Sequence, residues 1–60
     1  SMMLQMIQKL KKLGIGESMK LQNGAANHVQ IQAWYRVARK EGVKISIRTA
    51  PDGTRLYRVR

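Results

Sequence analysis

The sequence predicts a single α+β domain whose elements follow the order helix, strand, helix, β-hairpin. Two amphipathic segments, at residues 2–13 and 25–41, have the apolar spacing of helices, and each is followed by a glycine. Residues 43–60 alternate apolar and polar side chains around Pro-Asp-Gly, which is the pattern of a hairpin. A chain of 60 residues buries only about 60% of its unfolded surface, so we expect a small core that needs good packing or self-association.

The first helix carries an apolar stripe with two open interpretations. The side chains of the stripe are Met3, Met6, Ile7, Leu10 and Leu13. A helix of this length is marginal alone, so the stripe must pack against something. It forms part of the chain's own core, the interface of a homodimer or higher homo-oligomer, or both. Ser1 looks like a residue left by tag cleavage, and we leave it out of the predicted fold.

A short strand and a turn lead into the second helix. Residues 17–22 alternate and predict the strand, and the Asn-Gly pair that follows predicts the turn. Two caps compete for the start of the helix, namely Asn23, and Asn27 in a capping box with Gln30. Gly42 is well suited to end the helix in a left-handed conformation.

The second helix separates an apolar arc, which includes Trp34, from a polar arc when its residues are placed at about 100° intervals. The side chains of the polar arc, called the helix arc below, are His28, Gln32, Tyr35, Arg36, Arg39 and Lys40. Side chains of these types bind phosphate and hydrogen-bond to base edges. The helix arc is therefore a candidate surface for nucleic acid.

The register of the hairpin follows from the turn that we expect. A type I turn with a glycine bulge at Pro51, Asp52 and Gly53 places Ala50 opposite Thr54. The expected pairs on the core face are Ile47 with Tyr57 and Ile45 with Val59. The expected pairs on the opposite face are Arg48 with Leu56, Ser46 with Arg58 and Lys44 with Arg60. This register separates an apolar face from a basic one, with Arg55 near the tip.

The charge of the chain points to an anionic partner. Six Lys and six Arg oppose three acidic residues, so the formal net charge is +9. All six Arg lie in the second half of the chain. Arginine grips phosphate with a planar fork and stacks on bases, which lysine does less well. The composition therefore favours nucleic acid over a membrane surface or an acidic protein.

The composition argues against an enzyme and against a metal site. The chain has no Cys, one His and three scattered acids, and no nucleophile with a neighbouring base. Gly14-Ile15-Gly16 lacks the Lys-Ser or Lys-Thr ending of a phosphate loop. We expect a non-enzymatic protein without cofactor or metal. No segment predicts a membrane span or a signal peptide, and a chain without Cys fits the reducing cytoplasm.

A basic helix followed by a basic hairpin is the order of the second half of a winged helix, where a recognition helix precedes a wing. The expected contacts are the helix arc and the hairpin residues Lys44, Arg48, Arg55, Arg58 and Arg60. Double-stranded DNA is favoured, because Trp34 and Tyr57 are expected in the core and only Tyr35 remains to contact a base or sugar.

Two alternatives stay open. A single-stranded DNA-binding protein requires an exposed aromatic side chain on the basic face. An inhibitor or adaptor of an acidic host protein requires that oligonucleotides show no salt-sensitive binding.

Three segments also carry a resemblance to a known class of proteins. They are Gly16-Glu17-Ser18, the Arg- and Ala-rich residues 33–42 that end in glycine, and the basic hairpin at 43–60. Together they cover about three quarters of the chain, and they resemble small bacteriophage and prophage DNA-binding regulatory proteins of winged-helix type. The resemblance implies DNA binding, a role in transcription regulation or DNA metabolism, and a place in the bacterial host cytoplasm. It implies no particular site residues.

Overall fold

A computed structural model describes residues 1–22 and 27–60 of the chain. The elements are α1 (Met2–Lys12), β1 (Ser18–Leu21), α2 (His28–Glu41), β2 (Ile45–Ala50) and β3 (Gly53–Arg58). The three strands form one antiparallel sheet in the order β1-β3-β2, and both helices contribute to the core on one face of it. The predicted α+β class and the predicted order of elements are confirmed. The predicted Asn-Gly turn lies outside the described residues.

Local signals set the ends of both helices. The Asn27 side chain accepts a hydrogen bond from the Gln30 backbone N–H at 2.9 Å, so the second of the two predicted caps begins α2. Asn23, the other candidate, lies outside the described residues. Gly42 ends α2 with φ 75°, as predicted. Ser1, left out of the predicted fold, caps α1 by accepting a hydrogen bond from the Leu4 backbone N–H at 3.3 Å.

The apolar stripe of α1 belongs largely to the chain's own core. Met6, Leu10 and Leu13 are buried, and Ile7 is half-buried against the same cluster. The core also contains Leu21, Trp34, Val37, Ala38, Ile45 and Leu56. Core packing is therefore the interpretation that the structure supports for these α1 residues, because a side chain enclosed by its own chain is not exposed to a second copy. Of the five stripe residues only Met3 is exposed, and Met2 and Leu4 are exposed beside it.

The hairpin has a different register from the predicted one. Ala50 pairs with Gly53, so two residues rather than three connect β2 to β3. Every expected pair within the strands is shifted by one residue as a result. The observed pairs are Ile45 with Arg58, Ser46 with Tyr57, Ile47 with Leu56, Arg48 with Arg55 and Thr49 with Thr54.

The shift exchanges the two sides of β3. Leu56, expected on the basic face opposite Arg48, is fully buried on the helix side of the sheet. Tyr57, expected in the core, is 39% exposed and lies on the other side. The physical reason is that the shorter connection places Leu56 beside Ile47, which buries both aliphatic side chains under the helices. Burying a Leu side chain contributes about 1.5–3 kcal/mol, and the expected register would leave it in water.

Both ends of the hairpin show how this register is accommodated. Gly53 has φ 134°, a conformation that L side chains rarely adopt, and a Cβ there would lie 3.0 Å from Cε of Lys20. At the open end, the backbone N–H groups of Val59 and Arg60 both donate to the Lys44 carbonyl, at 2.8 and 3.2 Å. This is a bulge, and it restores the predicted pairing of Lys44 with Arg60 after the strands end.

The register predicts that substitutions at two adjacent residues lower the free energy of unfolding by very different amounts. Leu56→Ala should lower the free energy of unfolding by about 2–5 kcal/mol, because it empties a fully enclosed site. Tyr57→Ala should cost about 1 kcal/mol or less, since the ring lies on an exposed strand face. Urea denaturation followed by circular dichroism measures both. A larger loss for Tyr57→Ala would show that the originally expected register is the correct one.

Candidate nucleic-acid interface

The side of the sheet that faces away from the helices, called the outer face below, is polar and basic. Side chains alternate along a strand, so the neighbours of the buried residues in each strand point to this side. The side chains on the outer face are Ser18 and Lys20 of β1, Ser46 and Arg48 of β2, and Arg55 and Tyr57 of β3. Arg48 and Arg55 were expected at the interface, whereas Ser18, Lys20, Ser46 and Tyr57 were not.

Three cationic residues, called the row below, occupy paired positions across the outer face. Their charged ends diverge, because the Lys20 side chain lies over Gly53 while the two arginines reach toward serines at the other end of the strands. Lys20 lies directly opposite Arg55, and Arg55 lies directly opposite Arg48. Side chains paired in this way have Cβ atoms only about 5 Å apart, so like charges in these positions repel each other. The three strands, all of whose residues are described, contain no acidic residue. The charge of the row is therefore not neutralised from within the sheet.

Hydrogen bonds to serines orient the two arginines. Arg55 donates from Nε and Nη2 to Oγ of Ser18, at 3.4 and 3.3 Å. Arg48 donates from Nε to Oγ of Ser46 at 3.2 Å. A guanidinium has five N–H donors, so these contacts leave three on Arg55 and four on Arg48. Both groups keep enough donors to bind an anion while their position on the sheet is held.

The helix arc and the outer face are separated by the sheet. Trp34, Val37 and Ala38 turn toward the core, so the polar residues of α2 point away from it on the helix side. Of the helix arc, His28, Gln32, Tyr35, Arg36, Arg39 and Lys40 are all exposed. The sequence placed the helix arc and the basic hairpin residues in one predicted interface. The structure instead presents two basic surfaces.

Tyr35, the aromatic residue expected to contact a base or sugar, has a structural contact. Its hydroxyl accepts a hydrogen bond from the Ile47 backbone N–H at 3.0 Å. This N–H belongs to β2, which forms one edge of the sheet. Tyr35 thus satisfies an edge donor that would otherwise be open to another strand. Together with Arg39 and Lys44 it also lines a groove of about 340 Å³ beside that edge.

Arg58 does not belong to the outer face, where the expected register placed it. It is half-buried and donates from Nη1 to the Leu13 carbonyl at 2.8 Å, and from Nε to the Arg60 carbonyl at 3.3 Å. Leu13 is the C-cap of α1, where the helix dipole favours a positive charge. Arg58 therefore connects the hairpin to the end of the first helix. Arg60, also expected at the interface, is exposed at the open end of the hairpin.

Comparisons with known protein families, with curated proteins and with solved structures find no match to this chain. The resemblance to small phage DNA-binding proteins therefore stays a prediction. Neither helix in the described part of the chain has the length and apolar character needed to cross a membrane. Among the same residues, no three potential metal ligands lie together. The interpretation of the site accordingly depends on its own geometry.

The role of Arg58 can be separated from binding. Arg58→Gln should lower the free energy of unfolding by about 1.5–3 kcal/mol, the contribution of hydrogen bonds made by a charged group. Arg60→Gln makes a matched control and should change stability by less than about 0.5 kcal/mol, since its side chain is exposed. Urea denaturation compares the two. Equal stability of the two variants would contradict the connecting role of Arg58.

Proposed function

We propose that this chain is a nucleic-acid-binding protein, with DNA as the first candidate ligand, and that it binds the phosphate backbone with the outer face of its sheet. The observation that carries the proposal is the row formed by Lys20, Arg55 and Arg48 on three adjacent strands. No acidic residue occurs in those strands. Strands lie about 4.8 Å apart, so the backbone positions of the row span about 10 Å, and cations spread over such a distance suit an extended, repeating anion.

The energetics of the row support a polyanionic ligand. Three cationic residues in paired positions, in strands that contain no acidic residue, are expected to cost folding energy, because like charges directly opposite are destabilising. A polyanion that contacts all three removes this repulsion and gains charge-assisted hydrogen bonds from two arginine forks. Binding of this kind releases counterions and depends steeply on salt. The net charge of +9 adds long-range attraction to the same ligand.

The resemblance to phage proteins is the basis for the biological role that we propose. It favours a regulatory or DNA-metabolic role in the cytoplasm of a bacterial host. The proposed activity is binding without catalysis, and neither a cofactor nor a metal is part of it. The winged-helix prediction assigns base reading to the helix arc, whereas the geometry described above favours the outer face as the main contact.

Two charge-matched double variants distinguish the two basic surfaces. Arg48→Ala with Arg55→Ala should weaken oligonucleotide binding by about tenfold or more per arginine. It should also reduce the slope of log affinity against log salt by about 1.4–1.8, since two phosphate contacts are lost. Arg36→Ala with Arg39→Ala removes the same charge from the helix side. It should weaken binding by less than about threefold, because free charges beyond about 8 Å are screened at physiological salt.

Fluorescence anisotropy across a salt series measures both variants, and circular dichroism checks that each is folded. The reverse ranking would move the site to the helix arc and support the recognition-helix prediction. Salt-insensitive or undetectable binding by the wild type would contradict the proposed function and favour an adaptor of an acidic protein.

Self-association remains a separate expectation, now limited to the exposed start of α1. The apolar side chains there are Met2, Met3 and Leu4. If they form the interface of a homodimer, Met3→Ser with Leu4→Ser should dissociate it without loss of fold, since neither residue is in the core. Sedimentation velocity measures this. A monomeric wild type across the concentration range would contradict the expectation.

A further inference from the structure

Tyr57 occupies the middle of the outer face. It lies on β3, the central strand, directly opposite Ser18 on one side and Ser46 on the other. These neighbours are small, and the Tyr57 side chain is 39% exposed. A tyrosine in a core position would be enclosed by apolar side chains. This ring instead has a serine opposite it on each neighbouring strand.

The two arginines of the cation row lean toward Tyr57. Arg55 hydrogen-bonds to Ser18 and Arg48 to Ser46, and these serines are the residues paired with Tyr57. The hydroxyls that bind the two guanidinium groups thus flank Tyr57, one on each neighbouring strand. Tyr57 and Arg55 are two positions apart on one strand, so their Cα atoms are about 7 Å apart along the sheet. The lean of Arg55 toward Ser18 brings its guanidinium closer to Tyr57 than this backbone spacing.

From this arrangement we infer that the outer face binds single-stranded nucleic acid, with one base stacked on Tyr57 and the neighbouring phosphates held by Arg48 and Arg55. The inference rests on the proposed function and specifies its ligand. Exposed aromatics stack on bases, and arginines beside them hold the backbone, in proteins that bind single strands. In a duplex the base faces are already stacked on one another and are closed to Tyr57.

The width of the sheet also favours a single strand over a duplex. The major groove of B-DNA is about 12 Å wide and admits a helix or a two-stranded ribbon. The outer face belongs to three strands side by side, which is too broad to enter that groove face-on. An open platform of this kind presents no obstacle to a single strand. The condition set from the sequence for a single-strand binder, an exposed aromatic on the basic face, is met on the outer face by Tyr57. Tyr35 is also exposed, but it lies on the helix side, where its hydroxyl is bound to the β2 edge.

The experiment compares four labelled ligands of equal length with the full chain. They are a deoxyuridine oligonucleotide, the corresponding uridine ribo-oligonucleotide, an abasic oligodeoxyribose phosphate and a DNA duplex. Wild-type protein should bind a base-bearing single strand more tightly than the abasic strand and the duplex. The two base-bearing strands show whether the sugar of DNA or of RNA is preferred.

Two variants of Tyr57 test the stacking step. Tyr57→Val keeps a residue that favours strands but removes the ring, and it should weaken binding of the base-bearing strand about 5- to 150-fold, the range of one base–aromatic stack. Its affinity for the abasic strand should not change. Tyr57→Phe keeps the ring and should bind like the wild type. Circular dichroism and urea denaturation confirm that both variants are folded.

The outcomes separate this inference from the function on which it rests. If Tyr57→Val binds every ligand as the wild type does, or if the duplex is preferred, single-strand stacking is overturned. Salt-sensitive binding that is lost in the Arg48 and Arg55 double variant would then still support a phosphate-binding outer face. If the wild type shows no salt-sensitive binding to any of the four ligands, both proposals are overturned.

Discussion

The central position of β3, with Leu56 fully enclosed beneath it, is the constraint on which the rest of the structure depends. β3 pairs with β1 on one side and with β2 on the other. Its register therefore determines which side chains of all three strands point toward the helices. Leu56 is paired with Met19 and Ile47, and together with Leu21 and Ile45 these side chains form the sheet side of a small core. A domain of this size has little other apolar area to bury. Once Leu56 points inward, its neighbours Arg55 and Tyr57 must point outward.

The outer face is therefore a consequence of core packing as well as a candidate site. The same alternation that buries Leu56 aligns Lys20, Arg55 and Arg48 in one row and exposes Tyr57. Packing alone does not require cations at these three positions, because threonine or glutamine would satisfy the strands without repulsion. Like charges in paired positions are expected to lower the stability of a sheet, which matters most in a domain with a small core. A local cost of this kind is expected at a functional surface.

Other basic residues of the chain have structural roles or lie on another surface, so positive charge alone does not identify the binding site. Arg58 is held by carbonyl oxygens at the end of α1, where it supports the fold. Residues of the helix arc lie on the helix side of the sheet, and Tyr35 among them protects the β2 edge through Ile47. Lys44 takes part in the bulge that closes the hairpin. The contacts of each residue distinguish a cation that stabilises the fold from one that is free to meet a ligand.

By itself the sequence determined the order of elements, the end of α2 at Gly42 and the basic character of the hairpin, and it limited the start of α2 to two caps, of which the structure shows Asn27. These features depend on side chains within about four residues of one another, so local patterns reveal them. The register of the hairpin was decided by tertiary structure, since Pro51-Asp52-Gly53 is compatible with two connection lengths and only burial of Leu56 under the helices selects one. The expected pairing of Leu56 with Arg48 already indicated that the predicted register was wrong, because it left an aliphatic side chain on a basic face. The place of Lys20 beside Arg55 was also beyond the sequence, because it depends on which strand β1 joins, and residues so far apart in the chain carry no local signal of their contact.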